Sequence, residues 1–164
     1  MGATGVLALK DAMTGVGNKA ACNAKLEGLA EAKAYAIVVM DVNNLKYIND
    51  TYGHDAGDSY IKGCCKLFCD TYAHSPVFRI GGDEFIAILE KKDYENREAL
   101  YQSITRKFDR LWTERKSDAP HRYSGSIGMA DSDAAPDVKG VLRLADEAMY
   151  VNKRAFKEKN GSYR

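Results

Sequence analysis

Seven apolar residues in a row, Ala34 to Met40, end directly on Asp41. The run is far short of the ~20 residues that a membrane-spanning helix needs. Its β-branched centre instead suits a strand buried on both faces, from Tyr35 to Met40, which other elements must cover. Asp41 then stands at the end of a rigid element.

The flanking sequence supplies helices. From Asn18 to about Lys33 the chain is rich in Ala, Leu, Lys and Glu, and the turn Thr14-Gly-Val-Gly-Asn18 marks the start. Asn44 to Thr51 reads as a short helix closed by Gly53. Ala56 to Tyr72 reads as a longer one, with Ile61, Cys64, Cys65, Phe68 and Cys69 on one face. Two short apolar runs, Val77–Ile80 and Phe85–Leu89, flank Gly81-Gly82-Asp83-Glu84 and predict a β-hairpin with an acidic, glycine-bearing tip. Tyr94 to about Arg115 is helical by pattern, through Leu100, Ile104, Phe108, Leu111 and Trp112. A polar stretch from Lys116 to Arg122 leads to an alternating strand at Tyr123–Ala130. A last helix follows Pro136-Asp137, its stripe formed by Val138, Val141, Leu142, Ala145, Met149 and Asn152 or Phe156. This order predicts an α/β or α+β layered domain, with one mixed sheet packed by helices and ligands favouring the loops at strand ends.

At 164 residues the chain fits one domain, residues 1–164. Lys and Arg number 24 against 23 Asp and Glu, without the basic excess that makes nucleic-acid or membrane-surface binding a default expectation. No nucleic acid and no direct membrane contact are expected, and an anionic ligand must be held locally. The amino terminus lacks a secretory signal pattern, as a module cut from a longer membrane-anchored protein also would. Cys22, Cys64, Cys65 and Cys69 form no CxxC pair and have no His at zinc-site spacing, so they read as reduced thiols acting as small apolar residues.

Chemistry is concentrated in three places. Asp41, fixed by its strand, is well placed as a hard-metal ligand, and Lys46 lies close enough in sequence to meet a phosphate. The segment Asp41–Asp58 reads equally as a strand end entering helices through polar caps and turns. At the hairpin tip, two glycines allow close backbone approach, and Asp83 and Glu84 supply charge for Mg²⁺. Taken alone, that loop is also an ordinary acidic turn. If the hairpin lies beside the Asp41 strand, Asp83 and Asp41 converge on one ion. Lys153 and Lys157 share a helix face, which on spacing alone is a solvated surface.

Together these segments resemble the GGDEF family of diguanylate cyclases. The naming motif stands as Gly81-Gly82-Asp83-Glu84-Phe85 after Arg79-Ile80. Asp11-Ala-Met-Thr-Gly-Val-Gly-Asn18 resembles the family's opening D-x-L-T-G-L-x-N, and Asn49-Asp-Thr-Tyr-Gly-His54 matches N-D-x-x-G-H. Ala145-Asp-Glu-Ala-Met-Tyr150 with Lys153 matches the closing A-D-x-A-L-Y-x-x-K. The resemblance spans about residues 11 to 160 and implies a fold similar to the catalytic core of class III nucleotide cyclases. It further implies an enzyme that condenses two GTP into cyclic di-GMP, with release of two pyrophosphates, at the interface of a homodimer.

Carried over by position, Asp41, Asp83 and the Val42 carbonyl would bind Mg²⁺, or Mn²⁺ in its place. Asn49 and Asp58 would read guanine with His54 nearby, and Lys46, Lys153 and Lys157 would hold phosphates. Asp83 or Glu84 would assist deprotonation of the attacking hydroxyl. The resemblance also implies a cytoplasmic domain that is a fragment of a longer signalling protein, with a sensory or regulatory domain beside it.

Three departures qualify it. Asn43 stands where many members carry a second Asp, and Phe156 and Lys157 replace a frequent Gly and Arg. Tyr72 and Ser75 occupy the Arg and Asp positions of the inhibitory product site, which is therefore expected to be absent. A GTP-binding regulatory module without turnover is the alternative reading, and a purely structural dimerisation module is a third.

Overall fold

The computed structural model describes residues 8–29, 34–114 and 120–161. Strand β1 (Ala36–Val42) forms where the apolar run predicts it and extends through Asp41 and Val42. Its alternating side chains serve two cores. Ala36, Val38, Met40 and Val42 pack with Tyr60, Phe68, Ile104 and Phe108, whereas Ile37 and Val39 pack with Cys22, Val141, Ala145 and Met149. Fully burying a Val, Ile or Met side chain contributes roughly 1.5–3 kcal/mol, so β1 alone draws on both cores for much of the fold's cohesion.

Such a two-sided strand is usual in parallel sheets, but here its partners run the other way. The sheet has the order β2-β3-β1-β4, with β2 at Val77–Arg79, β3 at Glu84–Leu89 and β4 at Gly125–Asp131. All three pairings between these strands are antiparallel. A parallel contribution comes from a single bridge, Gly17 to Phe78. Helices on both faces let an antiparallel strand be as apolar as a parallel one.

The first helix, α1 (Lys19–Gly28), is capped by Asn18, whose side chain accepts from the Ala21 N–H at 3.0 Å. The predicted extension to Lys33 runs into residues 30–33, which lie outside the described residues. So do residues 115–119, which take in the predicted helix end at Arg115 and most of the polar stretch. Ahead of α1, Thr14 donates both its N–H and its hydroxyl to Asp11, and the Arg79 guanidinium reaches the same carboxylate at 3.3 Å. Burial alone would raise the Asp11 pKa, but these partners hold it below the usual value. The opening motif is thereby tied to the strand that leads into the hairpin tip.

Two backbone conformations set up the next pair of helices. Asn44, at φ +71°, turns the chain from β1 into α2 (Leu45–Tyr52). Asparagine is one of the few residues that tolerate this left-handed region. Gly53, at φ +95°, ends α2 and starts α3 (His54–Thr71), two residues earlier than predicted, because a glycine can reverse the chain within one residue.

The helix predicted from Tyr94 to Arg115 is split instead into α4 (Lys91–Glu95) and α5 (Arg97–Glu114). The break lies at Asn96, whose side chain donates back to the Lys92 carbonyl at 2.9 Å. Asp93, buried in α4, accepts from the His74 N–H and the Ser75 hydroxyl and pins the short helix to the turn before β2. Among the described residues, no helix is long and apolar enough to cross a membrane.

The last helix, α6 (Val138–Asn160), starts from Asp137, whose side chain accepts from the Gly140 N–H at 2.8 Å, and lies across β4. At Gly128 the two backbones meet: a Cβ there would stand 2.1 Å from the Met149 nitrogen and 2.2 Å from the Ala145 oxygen. Asn152 adds a hydrogen bond from its side chain to the Ile127 carbonyl at 2.7 Å. The register of α6 on the sheet is therefore fixed by backbone contact. Gly128→Ala should cost about 1–3 kcal/mol or more, because helix backbone and not a mobile side chain must give way. Urea denaturation measures this, and an unchanged midpoint would contradict the contact.

Candidate functional site

The hairpin tip folds beside the end of β1. Asp41 pairs in register with Glu84, and the Val42 N–H donates to the Asp83 carbonyl at 2.8 Å. The tip is held by Arg79, which donates to the Gly82 carbonyl at 2.6 Å, and by the Ile80 N–H, which donates to the Glu84 carbonyl at 2.9 Å. Rigid strand pairing thus brings together the two carboxylates that the sequence places more than forty positions apart, Asp41 and Asp83. Their carboxylates are close enough for Asp83 to raise the pKa of Asp41.

Lys153, from the middle of α6, completes this cluster. Its Nζ donates to the Val42 carbonyl at 2.8 Å and lies 3.4 Å from Asp41 Oδ1. Both side chains are largely withdrawn from solvent, at 13% and 19% exposure. A positive charge is therefore seated against the Asp41 carboxylate and the Val42 carbonyl, two of the three oxygen groups inferred from the resemblance as metal ligands. An ammonium there is a natural stand-in for a cation and indicates that the donors suit one. Among the described residues no three carboxylate, thiol or imidazole groups form a closed cage. The open set of two carboxylates and a carbonyl instead fits Mg²⁺, which commonly completes its shell with water and substrate phosphates.

Burial pushes the Asp41 carboxyl up to about 6; Lys153 opposes the shift and Asp83 adds to it. Burial likewise lifts Glu84 to about 7, aided by the negative charges of Asp146, Asp41 and Asp83. Lys153 is lowered by burial, against the pull of Asp41, and Lys157 adds like-charge repulsion. Crowded anions with too little compensating charge are what a divalent cation relieves.

Asp146 was not singled out by sequence reasoning, although it lies within the closing motif. It stands seven positions before Lys153, two turns away on the same helix, and that spacing was the available signal.

Asn43 takes no part in this charge. Fully buried, its amide donates to the Ser124 hydroxyl and accepts from the Ser126 hydroxyl, both at 3.0 Å, so it ties β1 to β4. The remaining candidates other than Lys157 sit on the paired helices α2 and α3. Asn49 is half-buried, while His54 and Asp58 are exposed. A Cβ on Gly57 would fall 1.7 Å from Asn49 Oδ1, so the glycine makes room for that amide between the helices. Lys46 is exposed in the first turn of α2 and pairs with Asp50 at 2.8 Å. Lys157 lies exposed one turn beyond Lys153.

Phe156 packs edge-on against Trp112, ring centres 5.0 Å apart, and fastens the end of α6 to α5. Tyr72 is buried, and the Ser75 hydroxyl is taken by Asp93 at 2.6 Å.

The sequence profile of the family described as "Diguanylate cyclase, GGDEF domain" matches residues 8–159. Diguanylate cyclase DosC of Escherichia coli K12 is 32% identical over 120 residues, which is 73% of this chain and 26% of that protein. The chain thus spans about a quarter of that relative's length. The active GGEEF domain of a diguanylate cyclase from Vibrio cholerae superposes with a TM-score of 0.62 at 28% identity, covering 82% of this chain and 85% of that one. The GGDEF domain of DgcB from Caulobacter crescentus, solved with c-di-GMP, superposes with a TM-score of 0.75 over 90% and 91% of the two chains. At 23% identity it supports the fold alone.

The raised Asp41 pKa has a measurable consequence. In metal-free protein the folded state holds this proton more tightly than the unfolded chain, so stability is lost as pH rises through about 6. Between pH 4 and pH 7, wild type should lose about 1–3 kcal/mol relative to Asp41→Asn, as read by urea denaturation in chelator. A difference that is flat or grows with pH contradicts the assignment.

Proposed function

The chain belongs to the GGDEF domain family, and on that premise we propose that it is a diguanylate cyclase. It condenses two GTP into cyclic di-GMP and releases two pyrophosphates, with Mg²⁺ or Mn²⁺ as cofactor. The observation that carries this reading is the meeting of Asp41, Asp83 and the Val42 carbonyl beside Lys153.

Asp41, Val42 and Asp83 would hold the metal, which when bound polarises the phosphoryl group and neutralises charge on the departing pyrophosphate. Lys153 would leave its seat on the Val42 carbonyl for the phosphate tail, joined by Lys157 and Lys46. Asn49 and Asp58 would read the base, since an ionised carboxylate accepts from the N1 and N2 hydrogens of guanine and finds no such pair on adenine. His54, at the start of the same helix as Asp58, would border that pocket. Glu84, with its pKa raised to about 7, is poised to take the proton of the attacking 3′-hydroxyl, a task shared with Asp83.

Each domain would hold one GTP, so the reaction needs a homodimer whose two sites face each other. A sensory or regulatory domain in the full-length protein would control that approach, in a cytoplasmic setting. Tyr72 and Ser75 supply neither the guanidinium nor the carboxylate of the family's product-inhibition site, and both are engaged in the fold. Feedback through that route is therefore not expected.

A silent GTP-binding module is the second reading, favoured by Lys157 in place of a frequent Arg, which reduces a bidentate phosphate contact to a point charge. Incubation with GTP and Mg²⁺, followed by separation of products, decides between the two. Cyclic di-GMP should form, and Asp83→Asn should reduce its formation at least 100-fold with the melting curve little changed. GTP-dependent stabilisation without product would establish the silent module instead.

Base choice offers a separate test. Asp58→Ser should bring ATP incorporation closer to that of GTP in a competition assay, whereas the unmodified protein should prefer GTP by a factor of up to about 10⁴. Equal incorporation by the unmodified protein would defeat the assignment of Asp58 and Asn49.

A further inference from the structure

On α3, well outside the carboxylate cluster, the sulfurs of Cys65 and Cys69 lie 3.9 Å apart. The residues are four apart on one helix and meet as neighbours on its surface. Cys65 is buried, Cys69 is half-buried, and neither is in a disulfide. The separation is informative about what the pair can hold. Two metal–sulfur bonds of about 2.3 Å at a tetrahedral angle place their sulfurs about 3.8 Å apart. A disulfide would instead need the sulfurs at about 2.05 Å and the Cβ atoms at about 3.8 Å, whereas Cβ atoms four apart on a helix stand about 5–6 Å apart. The helix would have to distort to close the bond, but not to share an ion.

We propose that Cys65 and Cys69 form a two-thiolate clip for a single soft, thiophilic d¹⁰ cation, entering from the half-exposed Cys69 side. The surroundings select for softness. The carboxylates nearest the pair are already engaged, Asp70 with Lys66 at 3.0 Å and Asp11 with Arg79 and Thr14. No third carboxylate, imidazole or thiol converges with them among the described residues. Sulfur alone is therefore on offer, which disfavours Mg²⁺ and Ca²⁺ and does not build the four-ligand cage of structural zinc.

The sulfur–sulfur contact holds the Cys69 thiol below the usual value against the effect of burial, while the same contact and burial push the Cys65 thiol well up. Cys69 is therefore the first ligand, and the proton of Cys65 must be displaced by the metal itself. Loading forms two sulfur–metal bonds, breaks two S–H bonds and releases two protons to solvent, with no change in oxidation state. Met13 and Val16 of the opening loop pack on the same core as the pair, and the charge of Asp11 in that loop reaches Cys65.

Titration of the full chain with Cd²⁺, followed by sulfur-to-metal charge-transfer absorption in the ultraviolet, tests the proposal. One equivalent should bind at micromolar concentration or below. Cys69→Ala should weaken binding about 100-fold, the advantage that linkage of two donors confers. Cys65→Ala should do the same, while Cys22→Ala should leave binding unchanged. Circular dichroism on each variant separates loss of the clip from loss of the fold, and the half-exposed Cys69 keeps the test available if the Cys65 variant fails to fold. Absence of a saturable signal in the wild type, or affinity in Cys69→Ala within a few-fold of wild type, would overturn it. Neither result bears on the cyclase reading.

Discussion

The antiparallel pairing of β1 with β3 governs both the stability of this domain and its chemistry. Its register sets Asp41 opposite Glu84, and a slip by one residue would turn Asp41 to the other face of the sheet while exchanging the two cores. Because β1 is apolar on both faces, that slip is opposed by the fit of its side chains to two differently shaped cores and by the placement of Asp41 at the strand end. The acidic site is thus positioned by an apolar constraint, and the cost of crowding Asp41, Asp83, Glu84 and Asp146 is borne by the cores on either side.

The second element of positioning is the seam between α6 and β4. Gly128 lets helix backbone rest on strand backbone, Asn152 ties the helix to the Ile127 carbonyl, and the next residue is Lys153. Phe156 on Trp112 then fastens the following turn. The replacement of a frequent glycine by Phe156 makes structural sense here, since the ring fills space between α5 and α6 that glycine would leave open.

Much of this was legible in the sequence. The apolar run ending in Asp41, the two-glycine hairpin tip and the ordered motifs pointed to one sheet flanked by helices and to carboxylates meeting at strand ends. What was not legible depended on side-chain partners remote in sequence. The split between α4 and α5 turns on Asp93 finding His74 and Ser75, and no helical periodicity encodes that. Asn43 looked like a charge missing from the site, but it serves as a neutral strap between β1 and β4. Lys153 looked like one of two surface lysines at helical spacing, and its burial against Val42 follows only from how closely Gly128 admits α6. The antiparallel direction of β1 was likewise hidden, because burial on both faces produces the same uninterrupted apolar run in either orientation.

The seat of Lys153 has a thermodynamic consequence. An ammonium on the Val42 carbonyl and a second cation at the same oxygen exclude one another, so whatever occupies that position must first find another counter-anion for the lysine. A ligand that brings its own negative charge offers one, and a bare cation does not. Cation and anion should therefore enter this pocket with positive linkage, each raising the affinity for the other by the same factor.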